Sequence, residues 1–181
     1  MTSLAETFPE SWTVRRARDA YLAENGFTVE AYDDRWTSAS FFGIPLKVPN
    51  TKRHRWAIML HDLHHVATGY GTDLVGEGEI SAWELRGLRP LGIYVASIVM
   101  AGTLAGAVFA PRRALGAWRA ARSARSLFEL VPPDANAPDA YEALLDLTVG
   151  ELRARLGVPA EGLAREPRGL HDFAPKASSA G

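Results

Sequence analysis

His61-Asp62-Leu63-His64-His65, followed after eleven intervening residues by Glu77, is the stretch that decides the fold of this chain. Four of the five histidines fall between His54 and His65. A helix advances about 100° per residue, so His61 and His65 lie about 40° apart on one face. Asp62 lies about 60° beyond His65, and His64 about 60° to the other side of His61. Two imidazoles one turn apart with a carboxylate beside them make half of a metal site.

The other half needs a second element. Thr68-Gly69-Tyr70-Gly71-Thr72-Asp73 is punctuated by glycine and ends the first helix. Thr72 or Asp73 can cap the next one. On that helix Leu74, Glu77, Ser81, Leu85 and Leu88 share an arc of about 80°. Glu77 is then expected on the inward face, and Glu79 on the opposite one. Two antiparallel helices joined by a short loop bring Glu77 toward His61 and His65. A buried carboxylate beside two imidazoles is costly unless a cation sits between them, and a divalent metal is the simplest. Plainer roles exist for single members. His64 reads first as a core or surface histidine, and Glu77 alone can stabilise a helix N-terminus through the dipole.

The pattern H-D-x2-H-x11-E, here His61, Asp62, His65 and Glu77, resembles the signature of the Coq-four family of coenzyme Q (ubiquinone) biosynthesis proteins. The surrounding HDLHHVATGYGTDLVGE is similar to bacterial members. The resemblance covers roughly residues 10 to 157 and is strongest over 56 to 88. It implies an α-helical protein that binds a divalent metal, usually taken as zinc, through those four positions. It also implies an isoprenoid-tailed ligand nearby, and a part in replacing the C1 carboxyl of the quinone precursor ring by a hydroxyl. Longer eukaryotic members carry a lysine after the glutamate; GEISAWEL, residues 78 to 85, has none.

With 181 residues, 47% of them apolar, the chain can build one domain with a real core. A net charge of −1 speaks against nucleic acid as the main partner. The absence of cysteine excludes disulfides and thiolate metal sites, so metal ligands are nitrogen and oxygen. MTSLAETFPESW lacks a basic segment followed by an apolar one, so a cytoplasmic protein is expected, with contact at the inner membrane face allowed.

Taken in order, residues 1–10 read as a loose arm, 11–157 as the helical domain and 158–181 as a tail. Ser11 is expected to cap a helix ending near Asn25, with Gly26 as its stop. Residues 27–50 read as irregular, and Asp33-Asp34-Arg35 as a solvated turn. Asn50 or Thr51 caps the histidine helix. The cations Lys52, Arg53, His54 and Arg55 crowd its first turn, which hints at an anionic neighbour.

Leu91 to Ala110 is 20 residues without a charge. That length can span a bilayer, but five alanines and three glycines dilute it, and a buried central helix is the expectation. Arg112, Arg113, Arg119, Arg122 and Arg125 follow on a helix expected to reach Leu130. They form a solvated face or a contact for anionic headgroups. Pro138 opens a helix to about Leu147. Thr148 and Glu151 have capping-box spacing, and Gly157 is the stop. His171-Asp172 repeats two letters of the motif without a second histidine.

The fold expected is therefore all-α: a single-domain bundle with a metal site between two adjacent antiparallel helices and a long apolar central helix. Zinc is the first choice of metal, with iron(II) or manganese as alternatives. If Asp62 stays behind the ligands, orienting a histidine, one coordination position opens. His64 is then the nearest acid/base group, with Asp62 beside it. Decarboxylation suits a Lewis acid; oxidative replacement needs an oxidant, and no flavin or nicotinamide motif is present. A zincin is disfavoured because Asp62, not glutamate, follows His61. The expected function is metal-dependent action on a carboxylated aromatic or quinone precursor, or on a related hydrophobic intermediate. A noncatalytic lipid-binding scaffold with a structural metal is the alternative. Expected partners are a hydrophobic or isoprenoid small molecule, a membrane surface touched peripherally, and a homo-oligomer or biosynthetic complex.

Overall fold

Capping residues place the helices much as their chemistry requires. The computed structural model describes residues 7–41, 44–133 and 137–164. α1 (Val14–Glu24) starts at Thr13, whose hydroxyl accepts from Arg16 N, not at Ser11. A ribbon follows: β1 (Trp36–Phe41) pairs antiparallel with β2 (Ile44–Pro49), from Trp36↔Pro49 to Phe41↔Ile44. This segment was expected to be irregular. Both strands are edges, where prolines such as Pro45 and Pro49 are tolerated.

α2 (Lys52–Thr68) starts at Thr51, which accepts from His54 N, and stops at Gly69 with φ 79°. Only glycine adopts that left-handed geometry without cost. α3 (Leu74–Glu84) starts at Asp73, whose carboxylate accepts from Val75 N and Gly76 N. α4 (Gly92–Phe109) and α5 (Pro111–Ala120) follow. The arginine-bearing helix ends at Ala120 instead of reaching Leu130, because Arg125 N is drawn to Leu156 O and Ser126 caps a new turn. That turn is α6 (Leu127–Leu130). α7 (Ala137–Leu145) carries Pro138 in its first turn. α8 (Val149–Leu156) has the Thr148–Glu151 capping box and ends at Gly157, φ 68°. The fold is all-α, with the small ribbon as its one addition among the described residues.

α3 is the central helix. Eight of its eleven residues are buried, Gly76 and the run from Gly78 to Glu84. Leu60 and Leu63 of α2, Leu127 and Phe128 of α6, and Leu145, Leu152 and Leu156 complete a core with Ile80 and Trp83. α4 and α5 lie against the other side of α3. Glu79, expected to face solvent, is therefore covered. Arg113 of α5 grips it with two hydrogen bonds, of 3.0 and 2.7 Å.

The apolar helix α4 is not central. Only 28% of its most apolar window is buried. Its inner stripe, Val95, Val99, Ala105 and Gly106, packs inward, and the rest is half-buried or exposed. The packed stripe is very close: a Cβ on Gly78 would lie 2.4 Å from Gly106 Cα.

The ends of the domain extend past their expected limits. Phe8 is buried, and Gly150 N donates to Glu10 O. Leu163 N and Ala164 N both donate to Thr68 O at the end of α2. His171-Asp172 lies outside the described residues.

Candidate metal centre

The helix α2 presents His61 and His65 one turn apart. α3 runs antiparallel to it, so Glu77 meets the His65 end and Glu84 the His61 end. His65 Nδ1 lies 2.9 Å from the carbonyl of Tyr70, which can only accept. Nδ1 therefore carries the proton and Nε2 the lone pair. His61 Nδ1 lies 2.9 Å from Glu84 Oε1, and against an ionised carboxylate it too is the donor. Its lone pair is also on Nε2. The two Nε2 atoms face each other at 3.0 Å. Glu77 oxygens stand 3.5 Å from each. Two lone pairs and a carboxylate converging on one point repel unless a cation joins them. His61, His65 and Glu77 thus form a group able to hold a metal ion.

Their surroundings fix the rings. Tyr21 stacks on His65 with centroids 5.3 Å apart. His65 is fully buried, whereas 40% of the Glu77 side chain is exposed. The group is closed on the α2 side and open past Glu77.

Glu84 is the residue that sequence reasoning missed. It is wholly buried, and Oε1 accepts from His61 Nδ1 and, at 2.7 Å, from His64 Nδ1. Spacing held a signal for it: seven residues after Glu77, it returns to within about 20° of the same face. An acceptor behind a ligand histidine fixes its tautomer and raises its basicity. Here Glu84 serves His61 as the Tyr70 carbonyl serves His65.

His64, expected as the nearest acid/base group, is placed differently. It has no exposure, and its Nε2 accepts from Leu127 N at 2.9 Å while Nδ1 donates to Glu84. Both nitrogens are engaged, between the rings of Trp83 and Phe128. It braces α3 and α6 and offers no free atom to a ligand. Asp62, expected as the fourth ligand, is not in the metal group. Its position on the helix, about 60° past His65, turns it toward the 3-10 turn Val29–Asp33, where Tyr32 OH donates to Oδ2 at 2.5 Å. The anionic neighbour of the first turn of α2 is Asp33, 2.7 Å from Arg55.

Charges in this cluster shift one another. Burial raises a carboxyl, but the positive charge on His61 overrides it at Glu84, held down at about 2. Burial lowers an imidazole, but the Glu84 charge, helped by Glu77, lifts His61 well above its ordinary value. His65, with less carboxylate support against its burial, falls to about 4. A proton on His61 thus fills the gap between the two Nε2 atoms when nothing else does. Burial lifts Asp62 to about 6, against the pull of His61 and the Tyr32 bond.

No protein-family model, curated protein or solved structure matches this chain.

Proposed function

We propose that this chain is a Coq-four-like, metal-dependent protein that decarboxylates a carboxylated aromatic or quinone precursor, or a related hydrophobic intermediate. The observation that carries the reading is the convergence of His61 Nε2, His65 Nε2 and a Glu77 carboxylate on one point. Two histidines and one glutamate are the donor set of zinc sites that keep a position for substrate or water. Zinc is accordingly the metal proposed, with iron(II) or manganese(II) as alternatives. The exposed flank of Glu77 favours this open type over a closed structural site, and so favours an enzyme over a metal-braced scaffold. A bound metal would supply a Lewis acid for the charge that develops on the substrate.

In decarboxylation the ring-to-carboxyl bond breaks, carbon dioxide leaves, and the electron pair left on the ring carbon takes a proton. Water admitted past the exposed flank of Glu77 is the group proposed to supply it, since Asp62 is turned away from the metal group onto Tyr32. Decarboxylative hydroxylation would require an external oxidant such as dioxygen. The apolar ligand class comes from the motif resemblance, which covers the same residues that converge.

Metal analysis of the gently purified protein, beside His65→Ala, tests the reading. About one zinc, iron or manganese per chain, absent from the variant, is expected for a site of this donor set. A metal-free wild type that takes up none of the three on titration would overturn it. Glu77→Ala, treated with the same metal, is expected to stay folded and lose turnover of an aromatic carboxylate.

A further inference from the structure

We infer that the outer face of α4 and α5 docks on an anionic lipid bilayer, lying along its interface and not crossing it. On α4, Ile93, Met100, Leu104 and Val108 fall within about 80° of arc, opposite the stripe packed on α3. They are open to solvent: Ile93 is 91% exposed, Val108 72% and Leu104 60%. Leu115 and Trp118 are exposed on α5, which packs beside α4. Exposed apolar side chains gathered along one helix face mark an interaction site.

Charge selects the occupant. From Leu85 to Phe128 the sequence holds seven arginines and no acid, in a chain whose net charge is −1. Glu79 neutralises one of them, Arg113. Arg112 and Arg119 are exposed on α5, which also carries Leu115 and Trp118, and Arg122 is exposed in the turn that follows it. An apolar stripe bordered by arginine, with tryptophan at the edge, is the pattern of a helix seated among acidic headgroups. A second copy fits less well: a two-fold pairing sets identical faces together, with arginine opposite arginine. Crossing the bilayer is disfavoured because the inner stripe is already packed on Gly78 and Ser81 of α3. A Cβ added at Gly102 would lie 3.8 Å from the Glu77 carbonyl, so the docked surface lies one helix away from the metal group.

Docking requires no metal, so its test is separate from that of the metal centre. The full-length protein is floated with vesicles of phosphatidylcholine, alone or mixed with phosphatidylglycerol, at low and high salt. Binding to the mixed vesicles, weakened by salt, is expected. Arg119→Glu with Arg122→Glu should lower the partition at least about tenfold. Leu104→Glu with Val108→Glu should abolish it without changing the circular dichroism, because both side chains are exposed. The lipid-induced blue shift of tryptophan emission should fall in Trp118→Phe. Three results would overturn the proposal: no flotation with either vesicle, flotation indifferent to the arginine reversals, or a dimer that Leu104→Glu dissolves in a protein that ignores vesicles.

Discussion

Glu84 governs what His61 can do. Glu84 is itself wholly buried and its Oε1 accepts from two imidazoles, so its charge acts on them through a low local dielectric. Glu84→Gln keeps the shape and one acceptor oxygen but removes the charge. Metal affinity should fall roughly 10- to 100-fold, the usual loss when the group behind a ligand histidine is changed. Competition against a chromophoric chelator measures it, and unchanged affinity would mean that Glu84 is only structural. The raised value of His61 gives a second expectation. At pH 7 the metal-free protein holds a proton there, and a metal must displace it. Calorimetry in buffers of different ionisation enthalpy should show release of about one proton per metal, shrinking at alkaline pH. The sign also applies to folding without metal. A group raised in the folded state stabilises fully below its unfolded value of about 6.5, and the contribution is lost as pH rises through the folded value. The histidine pair and Glu77 were legible because helical spacing alone groups them. The partners of Asp62 and His64 were not, since Tyr32 and the Leu127 amide come from distant segments.

At the scale of elements, α3 and α4 exchange the roles their compositions suggest. α4 is apolar along nearly its whole length, which composition reads as burial. α3 carries Glu77, Glu79, Ser81 and Glu84, with Glu79 on the face opposite the other three, a spread that composition does not read as burial. Yet α3 is the buried one, because each carboxylate meets a cation or an imidazole from another element: Glu84 the histidines of α2, Glu79 the arginine of α5. Periodicity reports the side chains of a helix and not the partners that arrive from elsewhere. The ribbon was missed for a related reason, since its pairing is between strands and its prolines discourage a strand assignment from local sequence. The α3–α4 crossing is where backbone meets backbone. Gly78→Ala would set a Cβ 2.4 Å from Gly106 Cα, and Gly106→Ala would set one 2.7 Å from Gly78 Cα. Neither neighbour is a flexible side chain, so the helices must part. Each change should destabilise by about 1–3 kcal/mol, seen as a lower melting temperature. Gly116→Ala, with open space around its Cβ inside α5, is the control expected to melt at or slightly above the wild type.

Across the whole molecule, the two ends of the described chain close on the end of α2 that carries His65. Arg153 of α8 is fully buried; its Nε donates to Ala67 O at 3.0 Å and its Nη1 to Ala160 O at 2.6 Å. Leu163 and Ala164 then bond Thr68 O, three residues beyond His65. The guanidinium therefore ties α8 and the segment after it to the metal-bearing helix. Composition gave residues 158–164 as tail because a proline, a glycine and an acid read as loop; the tie depends on one buried arginine whose carbonyl partners carry no side-chain signature. Arg153→Met fills much of the volume but leaves those carbonyls without a donor, at a cost of about 2–4 kcal/mol. Metal separates this global brace from the local site. At a free concentration 100 times its dissociation constant, a metal adds about 2.7 kcal/mol to the folded state. Arg153→Met should melt lower than wild type yet keep most of that increment, since His61, His65 and Glu77 are untouched. Glu77→Ala should melt near the metal-free wild type, its side chain being 40% exposed, and gain almost nothing from metal. Melting curves of the three proteins with and without zinc decide the matter. Were Arg153→Met to lose the increment as well, the end of α2 would be set by that arginine and not by Gly69 and the Tyr70 carbonyl.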